Sequence, residues 1–137
     1  MSLSPTQRTI RVLKNQGRMC GIVERFVYRF PGDHGIRIDL FGFGDIIAAD
    51  RVRGIIAIQS CGQAFSEHYR KITEDEDVAG NAIEWLTCWG RIELWGWRKV
   101  AHKRGGKLKV WQPRIKEITM ADFSASEATP KQTSAGV

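Results

Sequence analysis

The apolar positions of this chain follow two periods, and glycine, proline and short charged turns mark where one gives way to the other. Ser4-Pro5-Thr6-Gln7 opens a helix: a serine cap, a proline at the first helical position and a glutamine three residues after the cap can satisfy the free amides of a first turn. The helix is expected to run to Asn15 or Gln16 and to stop at Gly17. Over residues 20–30 the period drops to two. Cys20, Ile22, Glu24, Phe26, Tyr28 and Phe30 share one face of a strand, with Arg25 and Arg29 on the other, so one carboxylate lies on the apolar side.

Pro31-Gly32-Asp33-His34-Gly35 is turn chemistry, and residues 36–49 resume as an extended run that Gly42 and Gly44 should bend. Asp50-Arg51-Val52-Arg53-Gly54 makes a tight connection. Residues 55–60 are apolar on both faces, as a strand in mid-sheet would be. Residues 63–73 carry Phe65, Tyr69 and Ile72 on one helical stripe; the acidic Glu74-Asp75-Glu76-Asp77 reads as a solvated loop, and a short helix is expected near residues 81–88. Residues 91–100 return to strand alternation, Arg104-Gly105-Gly106 turns the chain, and residues 107–118 form a last strand in which Pro113 marks an edge or a bulge. Helix, three strands, helical crossover, two strands predicts an α/β fold with a mixed central sheet of about five strands flanked by helices.

A chain of 137 residues, 42% hydrophobic, can bury a sizeable core as a single domain, placed at residues 1–120. Residues 121–137 turn to Ser, Ala, Thr, Gly and Pro and read as a flexible tail. No apolar run approaches the roughly 20 residues of a membrane helix, and the start lacks the apolar segment of a secretory signal, so a cytoplasmic location with no membrane partner is expected. Cys20, Cys61 and Cys88 form no CxxC pair and read as free thiols. The net charge of +6 favours an anionic partner, nucleic acid before an acidic membrane surface. Residues 98–116 hold Arg98, Lys99, Lys103, Arg104, Lys107, Lys109, Arg114 and Lys116 with no acid, which suits phosphate binding. The adjacent Trp95, Trp97 and Trp111 are read as core before base-stacking groups.

Asp45 and Gln59 stand among apolar neighbours on what should be adjoining strands, where strand parity could aim both at one point together with Asp39 and Glu24. Oxygen donors gathered there would suit Mg²⁺ or Mn²⁺. Each also has a plainer reading: Asp45 as a turn cap beside Gly44, Gln59 as a buried amide bonded to backbone, Asp39 as a solvent-facing acid, Glu24 as the partner of an arginine. His34, His68 and His102 form no ligand spacing.

At these residues the sequence resembles the PD-(D/E)XK nuclease superfamily, in particular its Holliday-junction-resolvase-like branch. There an Asp on one strand is followed, after a turn, by Glu-x-Lys on the next strand and then a helix. Gly44-Asp45-Ile46-Ile47-Ala48 matches the first part and Ile56-Ala57-Ile58-Gln59-Ser60-Cys61 occupies the second. The chain is also similar to small phage-encoded members with "DLFGFGD", "AIQ" and "WGWRK" in this order, here residues 39–45, 57–59 and 95–99. The resemblance spans residues 9–119 and implies a restriction-endonuclease-like core, a metal-dependent DNA endonuclease, branched junctions among its substrates, and a homodimer. It assigns catalysis to Asp45 and Gln59, and metal binding to Asp45, Gln59, Glu24 and Asp39. Gln59 stands where the family has Glu, and Cys61 where it has Lys; Lys71 on the next helix is the first choice for the relocated cation. Those departures keep a second reading open, a DNA-binding protein of nuclease fold with impaired catalysis.

Overall fold

Ser4 closes the expected capping box: its hydroxyl accepts from the Gln7 amide, and the Gln7 side chain accepts from the Ser4 amide. Helix α1 (Pro5–Asn15) follows, and Gly17, at φ +74°, turns the chain out of it. In the computed structural model, which describes residues 2–123, α1 is one of three helices packed on a mixed five-stranded sheet, with a two-stranded hairpin beside it. This is the α/β architecture that the alternation predicts.

The strands are β1 (Cys20–Ile22), β2 (Arg25–Val27), β3 (Ile36–Ile38), β4 (Ile46–Asp50), β5 (Gly54–Cys61), β6 (Arg91–Ala101) and β7 (Lys109–Ile118). The main sheet runs β1-β4-β5-β6-β7, with β5 and β6 parallel and every other pair antiparallel. Two expected strands are therefore split. The alternating run over residues 20–30 leaves the main sheet at Val23 and Glu24, whose amides both donate to the Asp45 carbonyl, at 2.8 and 3.4 Å. It then pairs with β3 as a separate ribbon. The run over residues 36–49 divides likewise, because a tight loop at Leu40–Gly44 interrupts it: Leu40 and Gly44 exchange backbone bonds, and Phe41 and Gly42 adopt φ +56° and +87°.

The crossover from β5 to β6 is α2 (Phe65–Glu74) and α3 (Glu76–Thr87). The acidic run is not a loop. Asp75 caps α3 by accepting from the Val78 amide, and Glu76 and Asp77 occupy the first turn, where negative charge meets the helix dipole favourably.

Sheet alternation divides the core in two. Leu13 of α1 meets Ile46, Ala48, Ile56, Ile58, Trp95 and Trp97 on one face; α2 and α3 cover Ala57, Cys61, Ile92, Leu94 and Ile118 on the other. Each fully buried isoleucine or leucine contributes about 1.5–3 kcal/mol. Trp95 and Trp97 lie in the core, as expected. Thr9 pins α1 to the sheet: its hydroxyl accepts from Trp97 Nε1 at 2.8 Å and lies 2.8 Å from Ser60 Oγ. At the far end of the sheet, buried Glu93 accepts from Arg53 at 2.6 Å and from Trp95 Nε1 at 2.9 Å. The ordered fold extends past residue 120: a short 3₁₀ turn, Met120–Asp122, leads Phe123 into the core. The rest of the expected tail, 124–137, lies outside the described residues. No described helix is long and apolar enough to cross a membrane.

Candidate metal centre

Asp45 precedes the first residue of β4, and Gln59 follows Ile58, the partner of Ile46, so the antiparallel register sets Asp45 opposite Gln59. Both point toward the α2–α3 face, like Ala57 and Cys61. They are almost fully buried, at 4% and 2% exposure. Asp45 Oδ2 accepts from Gln59 Nε2 at 2.9 Å and from the Ser60 amide at 2.8 Å; the same Gln59 nitrogen donates to Asp39 Oδ2 at 3.2 Å.

Asp39 and Asp45 do not meet through strand parity. The Leu40–Gly44 loop folds the chain back on itself, and Phe43, buried at its apex against Trp85, anchors it. Glu24 arrives where the chain leaves β1, held by the two backbone bonds to the Asp45 carbonyl. Donor oxygens of Glu24, Asp39 and Asp45 all lie within 4.8 Å of one another. Glu24 also pairs with Arg37 across 3.6 Å, the arginine partnership expected of it.

Burial is the main cause that pushes the Asp45 carboxyl up to about 8, with Asp39 adding to it and the Ser60 amide and Gln59 opposing. Without a cation, the centre keeps a proton on its most buried carboxyl. Among the described residues, Gln59 Oε1 is buried with no hydrogen-bond partner, and Glu24 Oε2 is buried with the Arg37 ion pair but no hydrogen bond. A cluster of carboxylates with unsatisfied lone pairs is the donor set of a hard divalent cation, and these residues fit one. Gln59 meets the centre with its nitrogen; a half-turn of the amide would exchange that nitrogen for the unpartnered oxygen.

The centre opens into a cleft of about 370 Å³ lined by Glu24, Arg37, Asp39, Asp45, Gln59, Ser60, Cys61, Gly62 and His68, with Ser4, Pro5 and Thr6 at the start of α1. Lys71 is exposed on α2 and does not line this cleft; the α2 side chain that does is His68. Burial, then the charge of Lys71, lowers the His68 pKa, so the ring is neutral at pH 7, and among the described residues its buried Nδ1 has no hydrogen-bond partner. One signal for His68 was present: Phe65, His68 and Ile72 repeat at i, i+3 and i+7 on the core-facing side of α2. Arg37 had none, since its place opposite Phe26 depends on the ribbon register. Cys61 lines the cleft as a neutral thiol, pushed up to about 11 by burial and by Asp45.

β5 pairs with β6 only as far as Cys61 and Gly96, whereas β6 and β7 continue together to Ala101 and Lys109. This two-stranded arm leaves the sheet at the same end as the acidic centre. Arg98, Lys99, Lys103, Arg104, Lys107 and Lys109 are exposed on it, and among the described residues none is in an ion pair. Trp111 departs from the core expectation. It is 39% exposed, with the Arg8 guanidinium 4.0 Å and Lys99 Nζ 5.4 Å from its ring centre.

No family model, curated protein or solved structure matches this chain.

Proposed function

We propose that this chain is a metal-dependent DNA endonuclease that hydrolyses phosphodiester bonds, with Mg²⁺ or Mn²⁺ held by Asp45, Asp39 and Glu24. The observation that carries this reading is the meeting of three carboxylates from three separate segments within 4.8 Å, at the floor of an open cleft. A bound divalent cation supplies Lewis-acid polarisation of a phosphoryl oxygen and lowers the pKa of a water. The chain supplies the rest. Gln59 and the Ser60 amide fix the orientation of Asp45, while the neutral His68 offers a nitrogen able to take a proton in the cleft. Arg37, at the rim beside Glu24, offers a guanidinium for a phosphate, and the β6–β7 arm supplies the cations that hold the backbone. Paired cuts at a branched junction would need two copies of the chain.

A second reading has one observation in its favour. Cys61 stands where the nuclease pattern has lysine, and a thiol pushed up to about 11 carries neither a positive nor a negative charge at neutral pH. On that reading the chain binds DNA and cuts nothing.

One assay separates the two: labelled duplex, single-stranded and four-way-junction DNA, each with Mn²⁺, Mg²⁺ or chelator, beside the Asp45→Ala variant. The nuclease reading expects cleavage that needs the metal and falls to background in the variant. Cleavage that survives in Asp45→Ala would remove the site, and binding without cleavage in every metal would favour the second reading.

A further inference from the structure

The β2–β3 ribbon leaves the sheet just after Glu24 and returns just before Asp39, so it is rooted in the acidic centre. A short ribbon standing clear of the sheet has little to gain from apolar side chains. Yet Phe26, Tyr28 and Phe30 are 50%, 63% and 59% exposed. Alternation continued from β2 puts Phe26 and Tyr28 on one side, and Phe30 stands at the turn beyond them, where its carbonyl accepts from the Asp33 amide. Continuing the register from Val27 and Ile36 sets Tyr28 opposite Gly35, and the rings of Tyr28 and Phe26 lie across that glycine; a Cβ there would come within 2.8 Å of the tyrosine ring. Guanidinium groups are interleaved with the rings. Arg37 lies 5.6 Å from the Phe26 ring centre, and Arg29, held by Asp33 at 3.2 Å, lies 5.9 Å from that of Phe30.

We propose that this ribbon is a stacking platform for unpaired nucleobases, holding a single strand beside the acidic centre while the β6–β7 arm holds duplex. The inference rests on the nuclease reading and gives it a substrate class: DNA with unpaired bases next to a duplex. Flat rings accept any base by stacking, so the platform needs no sequence. Arginines among the rings neutralise phosphates and stack on bases themselves. Arg37, paired with Glu24, also offsets part of the negative charge of Glu24, Asp39 and Asp45, which would otherwise repel the strand. Charge disfavours a second copy of the chain on this face, because two ribbons packed together through it would bring Arg37 of each copy, the cross-strand neighbour of Phe26, toward the other.

The test is run in chelator, so that it reads binding without cleavage. The full chain is titrated into a single strand carrying a fluorescent purine analogue and, separately, into a duplex, with Tyr28→Ser/Phe30→Ser and Phe30→Trp beside the wild type. Both positions are more than half exposed, so the folded state should tolerate the changes, and an unchanged melting temperature checks this. The wild type should quench the analogue. The double variant should lose the quench and bind the single strand on the order of tenfold or more weakly, with duplex binding within about twofold of wild type; Phe30→Trp should retain both properties. Three results would overturn the inference: no quench by the wild type, equal single-strand affinity in the double variant, or a wild-type dimer that the double variant converts to monomer. Quenching without cleavage in any metal would retire the nuclease reading and leave the platform standing; cleavage without quenching would do the reverse.

Discussion

Asp45 is the residue on which the centre turns, because it is the most buried of the three acids and the one that accepts two hydrogen bonds. Its carboxyl is raised from 3.8 to about 8, so the folded state binds a proton that the unfolded chain has already released. The associated stability is present below pH 4 and is lost as pH rises toward about 8. Metal-free protein should therefore become easier to denature across that range, and Asp45→Asn should flatten the slope and be the more stable protein at its alkaline end. Urea unfolding at several pH values measures this; an unchanged slope in Asp45→Asn would contradict it. Asp45 and Gln59 were legible in the sequence because polar side chains on apolar strands need a reason to be there. Lys71 lies away from the centre for a physical reason: helix periodicity identifies the face turned to solvent, and a residue on that face is carried away from a centre beneath the helix. His68, on the covered face, carried the useful signal.

At the scale of the element, the Leu40–Gly44 loop does what strand parity was expected to do. Gly42 sits at φ +87°, and a Cβ there would come within 3.0 Å of Val78 Cγ2. Gly42→Ala should cost about 1–2 kcal/mol of stability, and because the loop joins Asp39 to Asp45, it should also weaken divalent-ion affinity. Calorimetric melting with and without Mn²⁺ reads both effects; a variant with wild-type stability would contradict the first. Helix α1, the β4–β5 turn and the β6–β7 hairpin were legible because each is specified by neighbouring residues: a capping box, Asp50 accepting from the Val52 and Arg53 amides, and a glycine pair between alternating runs. The splitting of residues 20–30 and 36–49 was not. Side-chain alternation continues unbroken when a strand passes from one sheet to another, so period alone cannot say which partner it pairs with.

Across the whole molecule, the acidic centre, the aromatic ribbon and the basic arm gather at one end of the sheet, while the Arg53–Glu93 ion pair and its neighbours close the other. The arm makes a prediction at this scale. Replacing Lys103, Lys107 and Lys109 with Ala should weaken duplex binding and lower the slope of log affinity against log salt by roughly 0.9 for each phosphate that is no longer neutralised; an unchanged slope in fluorescence anisotropy would place the DNA elsewhere. Beneath all of this lies the claim that Glu24, Asp39 and Asp45 share a cation. Electron paramagnetic resonance of free Mn²⁺, titrated into the purified chain at neutral pH, tests that claim most directly. The account predicts that one ion disappears per chain in the wild type and none in Asp45→Asn; a wild type that takes up no ion, or a variant that takes up as much, would contradict it.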